Sequence, residues 1–81
     1  MKSIICIDIG NTNIVIGTYL EDCLKEVKRI DTNEEAIDEI INKNLTTNII
    51  AISSVVPKIE KLFKLKLNKP YFKVSYLNSS I

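Results

Sequence analysis

The chain has 81 residues, 46% of them hydrophobic, and eleven Lys/Arg against ten Asp/Glu leave a net charge of +1. That length fits one small domain with a single core, the balanced charge gives no broad attraction to nucleic acid or anionic membrane, and no apolar run approaches the ~20 residues that span a bilayer. With two cysteines, no CxxC and no histidine, neither a zinc site nor a histidine base is available.

Ile4 to Ile9 is a near-continuous apolar run rich in β-branched residues, the pattern of a central strand covered on both faces. It holds an acid, Asp8, and is too short for the apolar core of a signal peptide, so a cytoplasmic protein is expected. In that reducing compartment Cys6 is a small buried hydrophobe and no bridge to Cys23 is expected. Gly10 to Asn13 is turn chemistry, and Ile14 to Leu20 is a second strand, so the two make a hairpin. Glu21-Asp22 mark another turn, and Leu24 to Ile30 form a third antiparallel strand whose charges suit an edge.

The period then changes. Thr32 and Glu35 fit a capping box, with Thr32 as the N-cap. Ile37, Ile40 and Ile41 follow at helical spacing, and Asn44 can end that helix. Asn48 to Val56 is a second buried-type strand, and Pro57 suits the first turn of another helix. Its apolar stripe is Ile59, Leu62, Phe63 and Leu67. Tyr71 to Leu77 is a last short strand, and Asn78–Ile81 carries no stop signal. The order β-β-β-α-β-α-β, with right-handed crossovers, predicts a mixed five-stranded α/β sheet of order 3-2-1-4-5 with helices on its faces.

Asp8-Ile9-Gly10-Asn11-Thr12-Asn13 is the segment that points to chemistry. Gly10 tolerates unusual backbone angles and lets a ligand approach closely. Successive amides in such a bend can point one way and hold an anion, and Asn11, Thr12 and Asn13 add side-chain donors. Asp8 repels phosphate but can hold Mg²⁺, which then bridges to phosphate oxygens. The plainer alternative is an ordinary Asx-rich turn. Against it, an acid on an apolar central strand needs a partner.

Asp8-x-Gly10-x-Thr12 after a first strand resembles the first phosphate motif of the acetate and sugar kinase, Hsp70 and actin superfamily. The longer run Asp8 to Asn13 resembles the type III pantothenate kinases. So do Arg29-Ile30-x-Thr32, the Asp38-Glu39 pair and Ser53-Ser54-Val55-Val56-Pro57. The resemblance implies a ribonuclease H-like, actin-like ATPase half-domain over residues 1–81, one N-terminal domain of a longer two-domain protein. It implies transfer of the γ-phosphate of ATP to pantothenate, the first step of coenzyme A synthesis, by a homodimer that needs Mg²⁺ and a monovalent cation, K⁺ or NH₄⁺. Asp8 would organise the metal, and Gly10, Asn11, Thr12, Asn13, Ile14 and Val15 would hold the β- and γ-phosphates. The family's catalytic aspartate belongs to a Gly-x-Asp-Arg segment, and no Asp-Arg pair occurs in these 81 residues, so no catalytic residue is assigned here.

Strand-end packing and helix capping account for Ser53 and Ser54, with a place on the floor of the nucleotide cleft as the alternative. Arg29 and Thr32 are read as structural. The lysines between 58 and 73 are a solvated face, since no aromatic interleaving supports nucleic-acid binding. Another sugar-kinase-type phosphotransferase and a non-catalytic nucleotide-binding or interaction module are the competing functions. A sheet face left uncovered by a missing partner would promote self-association.

Overall fold

The computed structural model describes residues 2–77. Along the chain run β1 (Ser3–Ile9), β2 (Asn13–Leu20), β3 (Cys23–Asp31), α1 (Glu34–Glu39), a π-helical turn that continues α1 (Ile40–Asn44), β4 (Ile49–Ser54), α2 (Pro57–Lys66) and β5 (Lys73–Leu77). The five strands form one sheet in the order β3-β2-β1-β4-β5. The pairs β1–β2 and β2–β3 are antiparallel, whereas β1–β4 and β4–β5 are parallel. This is the architecture expected from the sequence, a meander followed by two crossovers. The unpunctuated ending Asn78–Ile81 lies outside the described residues.

One expectation fails: both helices cover the same face. The path from β3 through α1 to β4, and the path from β4 through α2 to β5, cross the sheet in the same direction. Two crossovers of one hand and one direction place their helices on one side. Ile5, Ile7 and Ile9 of β1 meet Ile14 and Ile16 of β2, Ile50 and Ile52 of β4, and Ile37, Ile40, Ile59 and Phe63 from the helical layer. All are buried. The alternate residues Ile4, Cys6 and Asp8 point to the other face, where Cys6 is half-buried and Asp8 exposed. Cys6 is thus not a core residue, and it is a free thiol, as is Cys23. Leu24 and Val27 of β3 are also exposed. No helix among the described residues is long and apolar enough to cross a membrane.

The Glu21-Asp22 turn forms as predicted, with both residues at positive φ (53° and 66°), the geometry of a tight hairpin turn. The predicted capping box does not form. Thr32 is still held by the sheet, its N–H donating to Thr12 O at 3.0 Å. Helix α1 therefore starts one residue later, and Asn33 is its N-cap: its backbone is extended, and Oδ1 accepts the Ala36 N–H at 2.8 Å. Asn33→Ala is expected to destabilise the domain by about 1 kcal/mol, measurable as a lower denaturant midpoint. An unchanged midpoint would mean that water replaces the cap at no cost.

Helix α2 starts with Pro57 in its first turn and packs Ile59 and Phe63 into the core. Lys58 pairs with Glu34 at 3.0 Å and Lys66 with Asp38 at 2.7 Å, tying the two helices together at the surface. Such exposed pairs contribute little, a median of about 0–1 kcal/mol each. Buried Glu60 pairs with Lys64 at 3.3 Å, and Lys64 Nζ lies 4.9 Å from the Tyr76 ring centroid.

Burial pushes the Tyr76 hydroxyl above its ordinary 10.0, and the Glu60 charge adds to that rise. The fold therefore favours the neutral phenol. Its contribution is complete below the unfolded value and is lost as pH rises through the higher folded one. As pH rises past the ordinary value of 10.0, Tyr76→Phe should lose less stability than the parent chain. Parallel losses in the two proteins would refute this role for Tyr76.

Candidate phosphate-binding site

The β1–β2 hairpin ends in a four-residue bend, because Ile9 pairs with Ile14 across it. Gly10 N–H donates to Asn13 O at 2.9 Å and closes the bend. Two neighbouring strand ends brace its base. On the β4 side, Val55 N–H donates to Ile9 O at 3.1 Å. On the β3 side, Thr32 donates twice: from N–H to Thr12 O at 3.0 Å, and from Oγ1 to Gly10 O at 2.8 Å.

Gly10 serves the bend differently from the sequence expectation. Its φ is not positive, so no left-handed conformation demands a glycine here. Space does: a Cβ would stand 3.1 Å from Asn13 O, against the hydrogen bond that closes the bend. The Gly10 amide is turned inward in that bond and faces no ligand. Among the described residues, the Asn11 and Thr12 amides make no backbone hydrogen bond. Their side chains are exposed, and Asn13 Nδ2 donates to Thr12 Oγ1 at 3.1 Å.

Asp8 lies at the foot of this bend. Its neighbours in register are Val15 on β2 and Ser53 on β4, and Arg29 of β3 pairs with Val15 in turn. Paired residues of adjacent strands share a face, so Arg29, Val15, Asp8 and Ser53 form one row across the open side of the sheet. The carboxylate is exposed rather than sealed among apolar neighbours. Among the described residues, no group of three or more acidic, histidine or cysteine side chains could hold a metal ion. A cation here would take one carboxylate, with water and ligand oxygens completing its shell, an arrangement that suits Mg²⁺.

Asp8, Gly10, Asn11, Thr12 and Asn13 are thus together. Ile14 differs: its side chain is fully buried in the core, and only its main chain lies near the bend. Val15 faces the open side beside Asp8 and is tied into both ladders. The two serines part company. Ser54 is buried, and its Oγ accepts the Val56 N–H at 3.0 Å and contacts Val56 O at 3.2 Å, a local turn before α2. Ser53 stands on the opposite face, next to Asp8. Thr32 is the residue whose part was missed. Its signal was the Arg29-Ile30-x-Thr32 pattern, which the capping explanation absorbed.

A family model described as type III pantothenate kinase matches residues 4–79. Two curated relatives, each named type III pantothenate kinase, come from Citrifermentans bemidjiense and from Geobacter sp. (strain M21). Each is 38% identical to this chain over 84 residues, covering 89% of the chain and 33% of the relative. The chain therefore spans about a third of the length of the curated relatives it matches. With the match running through the bend, its bracing strands and both helices, the chain belongs to the type III pantothenate kinase family.

Proposed function

We propose that this chain is the N-terminal, phosphate-binding domain of a two-domain kinase that transfers the γ-phosphate of ATP to pantothenate. The observation that carries the reading is the exposed Asp8 carboxylate at the foot of a bend whose carbonyls are tied inward. Peptide groups held by their carbonyls present their amides on the opposite side, where the β- and γ-phosphates would lie. The stretch from Gly10 to Val15 frames those phosphates, with the amides after Gly10 nearest them.

Phosphoryl transfer rests on positioning and on neutralising charge as it develops. Asp8 would hold Mg²⁺, which would supply that neutralisation. Ser53 can donate a hydrogen bond to the water around the metal. The base that orients the attacking pantothenate hydroxyl is not among these residues, and neither are the adenine contacts. They belong to the remainder of a protein about three times as long, as in the relatives. A monovalent cation, K⁺ or NH₄⁺, a homodimer and a cytoplasmic setting complete the proposal. A second domain over the open sheet face would cover Ile4, Val15 and the exposed β3 residues.

Assay of the full-length protein with MgATP, pantothenate and K⁺ tests the reading directly. Formation of 4'-phosphopantothenate supports it. Turnover with a sugar but not with pantothenate would transfer the assignment to another phosphotransferase. ATP binding without turnover on either would make it a non-catalytic nucleotide-binding module.

A further inference from the structure

We propose that Thr32 is a positioning residue for the phosphate-binding bend, setting the direction of the Asn11 main-chain amide without touching the ligand. The proposal rests on the nucleotide reading above and assigns the element that preorganises that site.

Thr32 holds the bend at two places. Its Oγ1–H donates to Gly10 O at 2.8 Å, and its N–H donates to Thr12 O at 3.0 Å. A peptide group is planar, and in the trans form its C=O and N–H point in opposite directions. Among the described residues no peptide bond is cis. Gly10 C=O shares a plane with Asn11 N–H, and Thr12 C=O shares a plane with Asn13 N–H. Fixing Gly10 C=O toward Thr32 Oγ1 therefore aims the Asn11 amide away from it, while the Thr12 bond anchors the far side of the bend, where Asn13 C=O accepts from Gly10 N–H. The Asn11 amide, which makes no backbone hydrogen bond, is thereby left facing outward, where it can meet an anion. The inward Gly10 N–H, bonded to Asn13 O at 2.9 Å, sets the width of the bend but not its outward face.

Thr32 is itself well anchored. It follows the last residue of β3, and the next residue, Asn33, caps α1. Its hydroxyl is not needed for the cap, which Asn33 supplies. A β-branched side chain between a ladder and a cap has little χ1 freedom, so the Gly10 bond is made at low entropic cost. Substitution by serine keeps the hydroxyl. Substitution by valine keeps the shape and removes it, leaving Gly10 C=O free to rotate toward water.

The test is carried out on the full-length protein with MgATP and adenosine as separate probes in calorimetric titrations. Thr32→Val is expected to weaken MgATP binding by about 5- to 10-fold, the scale of one hydrogen bond in a preorganised site. Adenosine, which lacks phosphate, should bind within about twofold of the parent, and Thr32→Ser should restore MgATP binding to a similar margin. Unchanged MgATP affinity in Thr32→Val, equal weakening of both probes, or no recovery in Thr32→Ser would each overturn the proposal. If Thr32→Val fails to fold, Thr32→Ala takes its place, with adenosine binding as the check on its fold. An Asp8→Asn arm separates the two layers of the argument. If Asp8→Asn weakens MgATP binding and loss of the Thr32 hydroxyl does not, only the positioning role falls. If Asp8→Asn leaves MgATP binding intact, the nucleotide reading falls and takes this proposal with it.

Discussion

Asp8→Asn in the full-length protein is expected to lower kcat/KM for MgATP by about 100-fold or more, the loss seen when one preorganised electrostatic contact to the transition state is removed. The substitution keeps size and shape and removes one charge. Asp8 is exposed on the uncovered face and touches none of the core, so the folded state should be retained. The melting temperature should stay within a few degrees of the parent, since surface changes of this kind fall within about 0.5 kcal/mol. The discriminating result is therefore a collapse of turnover at constant stability. A further sign is metal dependence: the variant should need more Mg²⁺ to reach half its residual rate, because the remaining ligands of the cation carry less charge. Full activity in Asp8→Asn would remove the metal-organising role altogether.

Much of this fold was legible because its elements repeat one rule. The buried isoleucines of β1 (Ile5, Ile7, Ile9) and β2 (Ile14, Ile16) recur at every second position, and Ile37, Ile40 and Ile41 of the helical segment 34–44 recur at helical spacing. The strand order followed from the short β1–β2 and β2–β3 turns and from two helical crossovers. What escaped was the side on which each helix lands. A near-continuous apolar run such as Ile4 to Ile9 does not say whether its second face is covered within these residues. Only the direction of the two crossovers decides that. The helix start at Thr32 was misplaced for a related reason. Thr32 and Asn33 are both good caps, and the choice between them was made by a long-range bond from the sheet, Thr32 N–H to Thr12 O. Local pattern contains no information on that bond.

The candidate site was legible at the level of residues and less so at the level of atoms. Asp8 and the bend through Asn13 were found from residue types and order alone. The inward turn of the Gly10 amide, the burial of Ile14 and the division of labour between Ser53 and Ser54 depend on which face each residue occupies. In a strand that alternates by single residues, neighbours such as Ser53 and Ser54 must part to opposite faces. Sequence specified the alternation but not its phase. Phase came from the ladder, which pairs Ser53 with Asp8 and Ser54 with Ile9.

Phe63→Ala should be the most damaging single truncation on the covered face. Phe63 is fully buried and lies on α2, where it packs against the isoleucines of the sheet. Truncating a buried Phe to Ala costs on the order of 3–5 kcal/mol, from lost transfer energy and the cavity left behind. A domain of this size has roughly 4–12 kcal/mol in total, so the change removes a large part of it. Leu65→Ala on the same helix is the control, because Leu65 is 72% exposed and its loss should stay within about 0.5 kcal/mol. Denaturant midpoints would compare the two, and equal shifts would show that α2 does not pack on the sheet as described. The two faces of one sheet then make a sharper test. Below its lower unfolding midpoint, Phe63→Ala should bind MgATP as the parent does, since the bend and Asp8 lie beyond the face it disturbs. Asp8→Asn should do the reverse, keeping the midpoint and losing the nucleotide. A Phe63 variant that lost nucleotide affinity while still folded would mean that the core, through Ile9 and Ile14 at the two ends of the bend, sets the geometry of the site.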